Sequence, residues 1–144
     1  MVRALIIGYG NPLRGDDGFG WHAALRLRDD IADPEIEVLA LHQLTPELME
    51  PLSRAERVIF IDAAWPAPAA CRASSAFTHH LTPAALLAGA QTLYGRAPEA
   101  VLLTSPGENF EFGEGLSAAM QEALEETVGK VHAILRRPSL SSAR

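Results

Sequence analysis

The fold of this chain is indicated by residues 5–20, LIIGYGNPLRGDDGFG, in which a short apolar run is followed by a turn rich in glycine. From Trp21 to Asp29 apolar residues recur at helical spacing, since Ala24 and Leu25 follow Trp21 by about one turn. A strand, a loop and a helix in this order begin a βαβ unit. We therefore expect an α/β protein.

The rest of the chain repeats this alternation. Apolar runs predict further strands at 36–41, 57–62, 72–78 and 99–104. The prediction at 72–78 is weaker than the others. Helices are predicted after three residues that can cap them, Thr45, Thr82 and Ser117. Residues 109–112 alternate polar and apolar, which predicts an edge hairpin. We expect a three-layer sandwich, with a twisted, mostly parallel sheet of about five strands flanked by helices on both faces.

Length and composition exclude several classes of protein. The 144 residues suit one domain, which we assign to residues 1–137, and the Pro-Ser-rich residues 138–144 predict a disordered tail. The 12 Lys and Arg are scattered and outnumbered by 18 Asp and Glu, so nucleic acid is not an expected partner. No apolar run approaches the roughly 18 residues of a membrane span, and the first run is too short for a signal peptide. We expect a cytoplasmic protein that does not bind membranes.

The single cysteine, Cys71, excludes an internal disulfide and a cysteine-rich metal site. We interpret it as a structural thiol, because no activating pattern surrounds it. A bound metal would therefore need histidine or carboxylate ligands. The sequence also lacks the His-Glu-x-x-His pattern of conventional zinc proteases and the Gly-x-Ser-x-Gly pattern of α/β-hydrolases.

The glycine-rich turn does not match a nucleotide-binding loop. A dinucleotide fingerprint would place its third glycine at position 13, where this chain has Leu13, and the carboxylates of Asp16 and Asp17 would repel a pyrophosphate. No Gly-Lys-Ser or Gly-Lys-Thr follows, as a Walker loop requires. At a helix N-terminus the two aspartates are favoured in their ionised forms, so they either cap the helix or offer oxygen atoms to a cation.

Further candidate ligands follow other predicted strands. Asp62 ends the apolar strand 57–62, and His79 and His80 follow the weaker strand 72–78. Ligands of open α/β sheets bind outside the carboxyl ends of the strands. Asp62 could instead cap the next loop, and the histidine pair could be incidental. The convergence of these residues on one end of one sheet nevertheless favours a metal site of carboxylates and imidazole.

These residues resemble those of the hydrogenase maturation proteases, which remove a C-terminal extension from the large subunit of nickel-iron hydrogenases. The resemblance is most specific in the opening Gly8-x-Gly10-Asn11-x-Leu13-x-x-Asp16-Asp17-Gly18-x-Gly20. Further similar segments cover nearly the whole chain, at 58–63, 78–83, 94–95, 98–99, 106–108 and 113–117.

The resemblance implies an endopeptidase of α/β sandwich fold, with a metal-binding trio of an acidic residue, an aspartate and a histidine. By position these are Asp17, Asp62 and His79, with His80 as the alternative histidine. Asp17 and Asp62 are also the implied catalytic residues, and Asp16 is a candidate for a supporting or general-base role. The metal is the nickel already installed in the large-subunit precursor, which is the implied partner. No tightly bound resident cofactor is expected.

Two other functions remain open from the sequence. A nickel carrier or assembly chaperone of hydrogenase could hold the ion with the same trio. A phosphate- or nucleotide-binding domain of flavodoxin-like architecture could use the glycine-rich loop, although the acidic pair argues against it. For the peptidase, the sequence leaves open whether a carboxylate acts as base on water or the metal polarises the scissile carbonyl.

Overall fold

The structure, a computed structural model, describes residues 2–64 and 81–138. Its strands are β1 (Val2–Tyr9), β2 (Ile36–Leu41), β3 (Ala55–Ala64) and β4 (Glu99–Pro106). Its α-helices are α1 (Phe19–Asp30), α2 (Met49–Ser53), α3 (Pro83–Tyr94) and α4 (Ala118–Arg136). Short 3₁₀ turns at Gly15–Gly18 and Pro46–Leu48 precede α1 and α2. Cys71, the predicted strand 72–78, His79, His80 and the tail from residue 139 lie outside the described residues.

The described strands form one parallel sheet in the order β2-β1-β3-β4. This confirms the predicted α/β class, with four strands in the described ranges rather than about five. β1 and β3 are central, and Gly8 is paired with Ile61 where both strands approach their carboxyl ends. A strand with neighbours on both sides and helices on both faces needs apolar side chains in both directions, as the buried run Val58 to Ile61 shows.

Two apolar layers cover the sheet and confirm the predicted sandwich. On one face, Ile6, Ile59 and Ile61 pack against residues of α1 and α4, among them Phe19 and Met120. On the other face a second cluster joins the sheet to α2 and α3, through Leu5, Ile7, Val58, Phe60, Leu52, Leu86 and Ala90. The alternation of side chains along each strand divides them between the two clusters.

Two of the three predicted caps are confirmed. The Thr82 hydroxyl accepts a hydrogen bond from the amide of Ala85 at 3.0 Å at the start of α3, and Ser117 caps α4 in the same manner. The predicted cap at Thr45 is wrong, because its hydroxyl donates to the Glu47 carboxylate at 3.0 Å. The chain there first forms the 3₁₀ turn Pro46–Leu48, and only then α2.

The longest described helix is α4, whose last carbonyls are bound by a buried arginine. Arg57 Nη1 donates to the carbonyls of Ile134 at 2.6 Å and Arg137 at 2.9 Å, while its Nε donates to Glu99 at 2.9 Å. These contacts tie the helix end to β3 and β4, because Arg57 and Glu99 lie side by side in the sheet. Within residues 2–64 and 81–138, no helix combines the length and apolar character that crossing a membrane requires.

The edge hairpin predicted for residues 109–112 is wrong. This segment belongs to an irregular loop between β4 and α4, which contains a single parallel bridge between Arg14 and Gly113. The amides of Glu108 and Asn109 donate to the carboxylate of Asp16 instead of to a neighbouring strand. The alternating pattern had no strand partner to pair with, so side-chain acceptors determined the conformation.

Candidate active site at the carboxyl end of the sheet

The candidate site lies where the order of the strands reverses. The chain passes from β1 to β2 on one side of the sheet and from β3 to β4 on the other. In open α/β sheets the crevice between two such central strands, outside their carboxyl ends, is the usual place for a ligand. The turn that contains Asp16 and Asp17 follows β1, and Asp62 lies near the carboxyl end of β3.

A close backbone contact joins these two parts of the crevice. A Cβ atom built on Gly20, at the start of α1, would lie 2.1 Å from the carbonyl oxygen of Ile61 and 2.6 Å from that of Tyr9. Only glycine permits this approach, because both neighbours are backbone atoms. The helix that begins directly after the Asp17 turn therefore touches β3 one residue before Asp62.

Asp17 closes the turn in which it lies. Its Oδ2 accepts a hydrogen bond from the Asn11 amide at 2.9 Å, and Asn11 Oδ1 in turn accepts the Leu13 amide at 2.9 Å. α1 begins after Gly18 without a side-chain cap, so helix capping does not explain the acidic pair. Asp17 is partly exposed, whereas its neighbour Asp16 is buried.

Asp16 has a different environment from its neighbour. It is 0% exposed, and its carboxylate accepts hydrogen bonds from the amides of Glu108 at 2.7 Å, Asn109 at 3.0 Å and Ser117 at 2.8 Å. The Ser117 hydroxyl also donates to it at 2.9 Å. Burial alone would raise the pKa of Asp16, but these four hydrogen bonds outweigh burial and lower it. Asp16 thus fixes the loop between β4 and α4 as an ionised acceptor.

The backbone of the glycine-rich turn offers little to a phosphate. Most of its amides donate to protein oxygen atoms: those of Asn11, Leu13, Arg14, Gly15, Asp16 and Asp17. A phosphate-binding loop needs amides that point at the ligand. The observed bonding therefore argues against the phosphate- or nucleotide-binding alternative, in addition to the two negative charges.

Asp62 has a partner that the sequence analysis missed. Its Oδ1 accepts the Ala63 amide at 2.8 Å, and the phenol of Tyr9 lies near enough for the two groups to interact electrostatically. Burial raises the pKa of Tyr9, and the nearby negative charge of Asp62 raises it further. Tyr9 ends β1, but its proximity to Asp62 follows only from the register between β1 and β3.

The histidine of the predicted trio is not placed by the structure, because His79 and His80 lie outside the described residues. Among residues 2–64 and 81–138, no three His, Cys, Asp or Glu side chains are grouped so that they could hold a metal ion. The metal-binding and catalytic roles of Asp17, Asp62 and His79 therefore stay predictions. The carboxylates supply oxygen ligands, and a neutral imidazole would complete a set suited to a borderline divalent ion.

Two exposed apolar side chains, Leu13 and Phe112, form a rim beside the glycine-rich turn that follows β1. The amide of Gly15 in this turn donates to the carbonyl of Gly113, in the loop between β4 and α4, at 2.9 Å. The guanidinium of Arg14 lies 5.0 Å from the centre of the Phe112 ring. Phe112 is 81% exposed and Leu13 is 50% exposed. Asp16 fixes the loop that carries Phe112.

Comparison with solved structures shows the same architecture in hydrogenase maturation proteases. The endopeptidase HybD from E. coli shares 23% identity at a TM-score of 0.75, covering 94% of this chain and 93% of that one. The protease HycI from Thermococcus kodakarensis shares 21% identity at a TM-score of 0.72, with 94% of each chain covered. A hydrogenase 2 maturation peptidase from a Thaumarchaeota archaeon shares 23% identity at a TM-score of 0.68, covering 92% of this chain and 97% of that one.

No protein-family model and no curated protein sequence matches the chain. The structural similarity extends over nearly all of this chain and of each protein compared. The chain therefore has the fold of the hydrogenase maturation proteases, as the resemblance of its motifs predicted.

Proposed function

We propose that this protein is an endopeptidase that removes the C-terminal extension from the nickel-loaded large-subunit precursor of a nickel-iron hydrogenase. The observation that carries the proposal is that two carboxylates lie at the carboxyl-end side of the two neighbouring central strands. Asp17 follows β1 and Asp62 lies near the carboxyl end of β3, and the contact of Gly20 with Ile61 joins the two segments. The same fold in proteins named as hydrogenase maturation proteases supports this assignment.

In this proposal the nickel ion is part of the substrate. The oxygen atoms of Asp17 and Asp62, together with the imidazole of His79 or His80, form a mixed oxygen and nitrogen set that suits nickel better than magnesium. These side chains test whether the precursor has received its metal, and at the same time fix the neighbouring peptide bond against the protein. A resident cofactor is not required.

The environments of the two adjacent aspartates assign them different tasks. Asp16 is buried, bound by four donors and held at a lowered pKa, so it is a poor general base. Its task in the proposal is to position the loop between β4 and α4 beside the crevice. Asp17 and Asp62 remain the candidates that contact substrate, with one of them acting on water or with both orienting a peptide carbonyl polarised by the substrate's nickel.

The test is cleavage of the purified precursor. Mass spectrometry of the precursor detects cleavage as the loss of the mass of a C-terminal peptide. We expect cleavage of the nickel-loaded precursor and little or none of the nickel-free form. The variants Asp17→Asn and Asp62→Asn should abolish cleavage, because the amide removes a charge but hardly changes the volume. Asp29→Asn, at an exposed position of α1, is the matched control and should cleave normally.

Each other outcome points to a different conclusion. Nickel binding without cleavage would favour the carrier or assembly chaperone. Equal cleavage of the nickel-loaded and the nickel-free precursor would contradict the proposed recognition of nickel, although it would leave the peptidase assignment intact. Unchanged cleavage in both aspartate variants would remove the active site from this crevice.

A further inference from the structure

The rim formed by Leu13 and Phe112 lies on two segments that backbone hydrogen bonds hold together. The amide of Gly113 donates to the carbonyl of Leu13, and the amide of Gly15 donates to the carbonyl of Gly113, each at 2.9 Å. These two bonds form the parallel bridge between Arg14 and Gly113. Leu13 and Phe112 each precede one of the two bridged residues, so the bridge fixes both segments of the rim relative to each other.

The exposure of Phe112 does not result from a loosely held loop. Its side chain is 81% exposed, yet the carboxylate of Asp16 binds the loop through the amides of Glu108 and Asn109. The guanidinium of Arg14 lies 5.0 Å from the centre of the Phe112 ring, a distance at which a cation is attracted to an aromatic face. The ring is therefore presented to solvent from a fixed support.

A fixed and exposed apolar rim is typical of a binding surface. Single exposed apolar side chains are ordinary, but Leu13, which is 50% exposed, and Phe112 lie on bridged segments beside a candidate active site. Aromatic residues are frequent anchors of interfaces. An anchor that is already held in place loses little conformational freedom when a partner covers it, which favours binding.

The rim is connected to the candidate site through two hydrogen bonds. The amide of Leu13 donates to Asn11 Oδ1 at 2.9 Å, and the amide of Asn11 donates to Asp17 Oδ2 at 2.9 Å. Asp17 follows Leu13 by four residues, so their Cα atoms lie within about 15 Å of each other. About five residues of an extended peptide cover that span. A substrate bound at Asp17 can therefore reach the rim with residues close to the reacting bond.

The loop that carries Phe112 also has an acidic surface. Glu108, Glu111 and Glu114 are all exposed. Within residues 2–64 and 81–138, none of these three carboxylates takes part in an ion pair. Their charge attracts a partner that carries Lys or Arg next to its apolar side chains.

We propose that the rim binds an extended segment of the hydrogenase precursor, next to the bond that is cleaved. An apolar side chain of this segment packs against Leu13 and Phe112, and a neighbouring Lys or Arg lies opposite the glutamates of the loop. The identity of the partner rests on the proposed peptidase function. The rim is remote from the reacting atoms and binds ground state and transition state alike, so it lowers KM and leaves kcat unchanged.

Two exposed apolar residues of α3 provide matched controls, since Leu93 is 68% exposed and Tyr94 is 52% exposed. We expect Phe112→Ala to raise KM for the nickel-loaded precursor roughly tenfold, the scale of one buried aromatic side chain, with kcat nearly unchanged. Leu13→Ala should raise KM roughly threefold to tenfold. Leu93→Ala and Tyr94→Ala should leave both constants unchanged. Because the substituted side chains are exposed, the midpoint of unfolding in urea should hardly change in any of these variants.

The acidic part of the surface is tested by salt. The double variant Glu111→Gln, Glu114→Gln should raise KM at low ionic strength and make KM less dependent on salt. The double variant Glu122→Gln, Glu126→Gln removes two exposed carboxylates of α4 and should behave as the wild type. An equal salt dependence in both double variants would contradict the predicted basic residues of the substrate.

A binding measurement does not depend on cleavage. The affinity of Asp62→Asn for the nickel-loaded precursor should fall by the same factor when Phe112→Ala is added, and should not fall when Tyr94→Ala is added. An unchanged affinity with Phe112→Ala, or a fall in kcat without a rise in KM, would overturn the inference and leave the peptidase assignment intact. A weaker affinity with Phe112→Ala, in a protein whose wild type does not cleave, would support binding at the rim and contradict the peptidase assignment.

Discussion

Asp16 and Ser117 are 101 residues apart in the chain, and two hydrogen bonds join them. The Ser117 amide donates to Asp16 Oδ1 at 2.8 Å, and its hydroxyl donates to Asp16 Oδ2 at 2.9 Å. Ser117 is also the N-cap of α4. One buried carboxylate therefore sets both the start of the last helix and the end of the loop that borders the candidate site.

The variant Asp16→Asn should destabilise the protein by about 3 kcal/mol. An asparagine has one accepting oxygen and an amide group that donates, so in either orientation its amide group would face a backbone donor. Unfolding in urea measures the change. Asp29→Asn, at an exposed position, should stay within about 0.5 kcal/mol of the wild type. A similar small effect at Asp16 would contradict the anchoring role.

Asp16 should also make stability depend on pH in the acid range. Its pKa is lowered in the folded state from the ordinary value of 3.8, because the hydrogen bonds outweigh burial. Its contribution to the free energy of unfolding is therefore fully present above the unfolded value and is lost as the pH falls through the lower, folded pKa.

Unfolding free energies measured from neutral pH down to about pH 3 check this dependence. The difference between the wild type and Asp16→Asn should stay constant from neutral pH to about pH 5 and shrink below it. A difference that grows toward acid would mean that the pKa of Asp16 is raised, in conflict with its four donors.

A pair of glycines tests the close contact at the crevice. Gly20→Ala should cost more than about 3 kcal/mol, because the added Cβ would meet two carbonyl oxygens that belong to the sheet. Gly129→Ala, on an exposed part of α4 with no atom near the added Cβ, should stabilise the protein by about 0.5–1 kcal/mol. Thermal unfolding of both variants decides whether the tight approach or helix propensity controls the result.

The histidine of the trio can be identified by single substitutions. We expect His79→Ala to abolish cleavage of the nickel-loaded precursor and His80→Ala to retain it, with His132→Ala on α4 as a control. Loss of activity in His80→Ala alone would transfer the role to that residue. Full activity in both variants would remove the neighbouring histidines from the proposed site.

Much of the fold could be predicted locally. Apolar runs such as Val58 to Ile61 predicted strands buried on both faces, and Thr82 and Ser117 predicted the starts of helices. Both predictions succeeded because these patterns depend on residues that are close in the chain. The hairpin predicted at residues 109–112 failed for the opposite reason. The amides of Asn109 and of the preceding Glu108 are bound by the carboxylate of Asp16, more than ninety residues away, which no local pattern reveals.

By itself the sequence determined a parallel α/β fold and an acidic turn after its first strand, since periodicity, glycine and charge are local properties. The tertiary structure decided what each carboxylate does. Asp16 and Asp17 are chemically identical neighbours, but the loop between β4 and α4 covers only the first and supplies its donors. Likewise, the register between β1 and β3 brings Tyr9 to Asp62. Such contacts depend on which distant segments meet, and that is settled only when the whole chain packs.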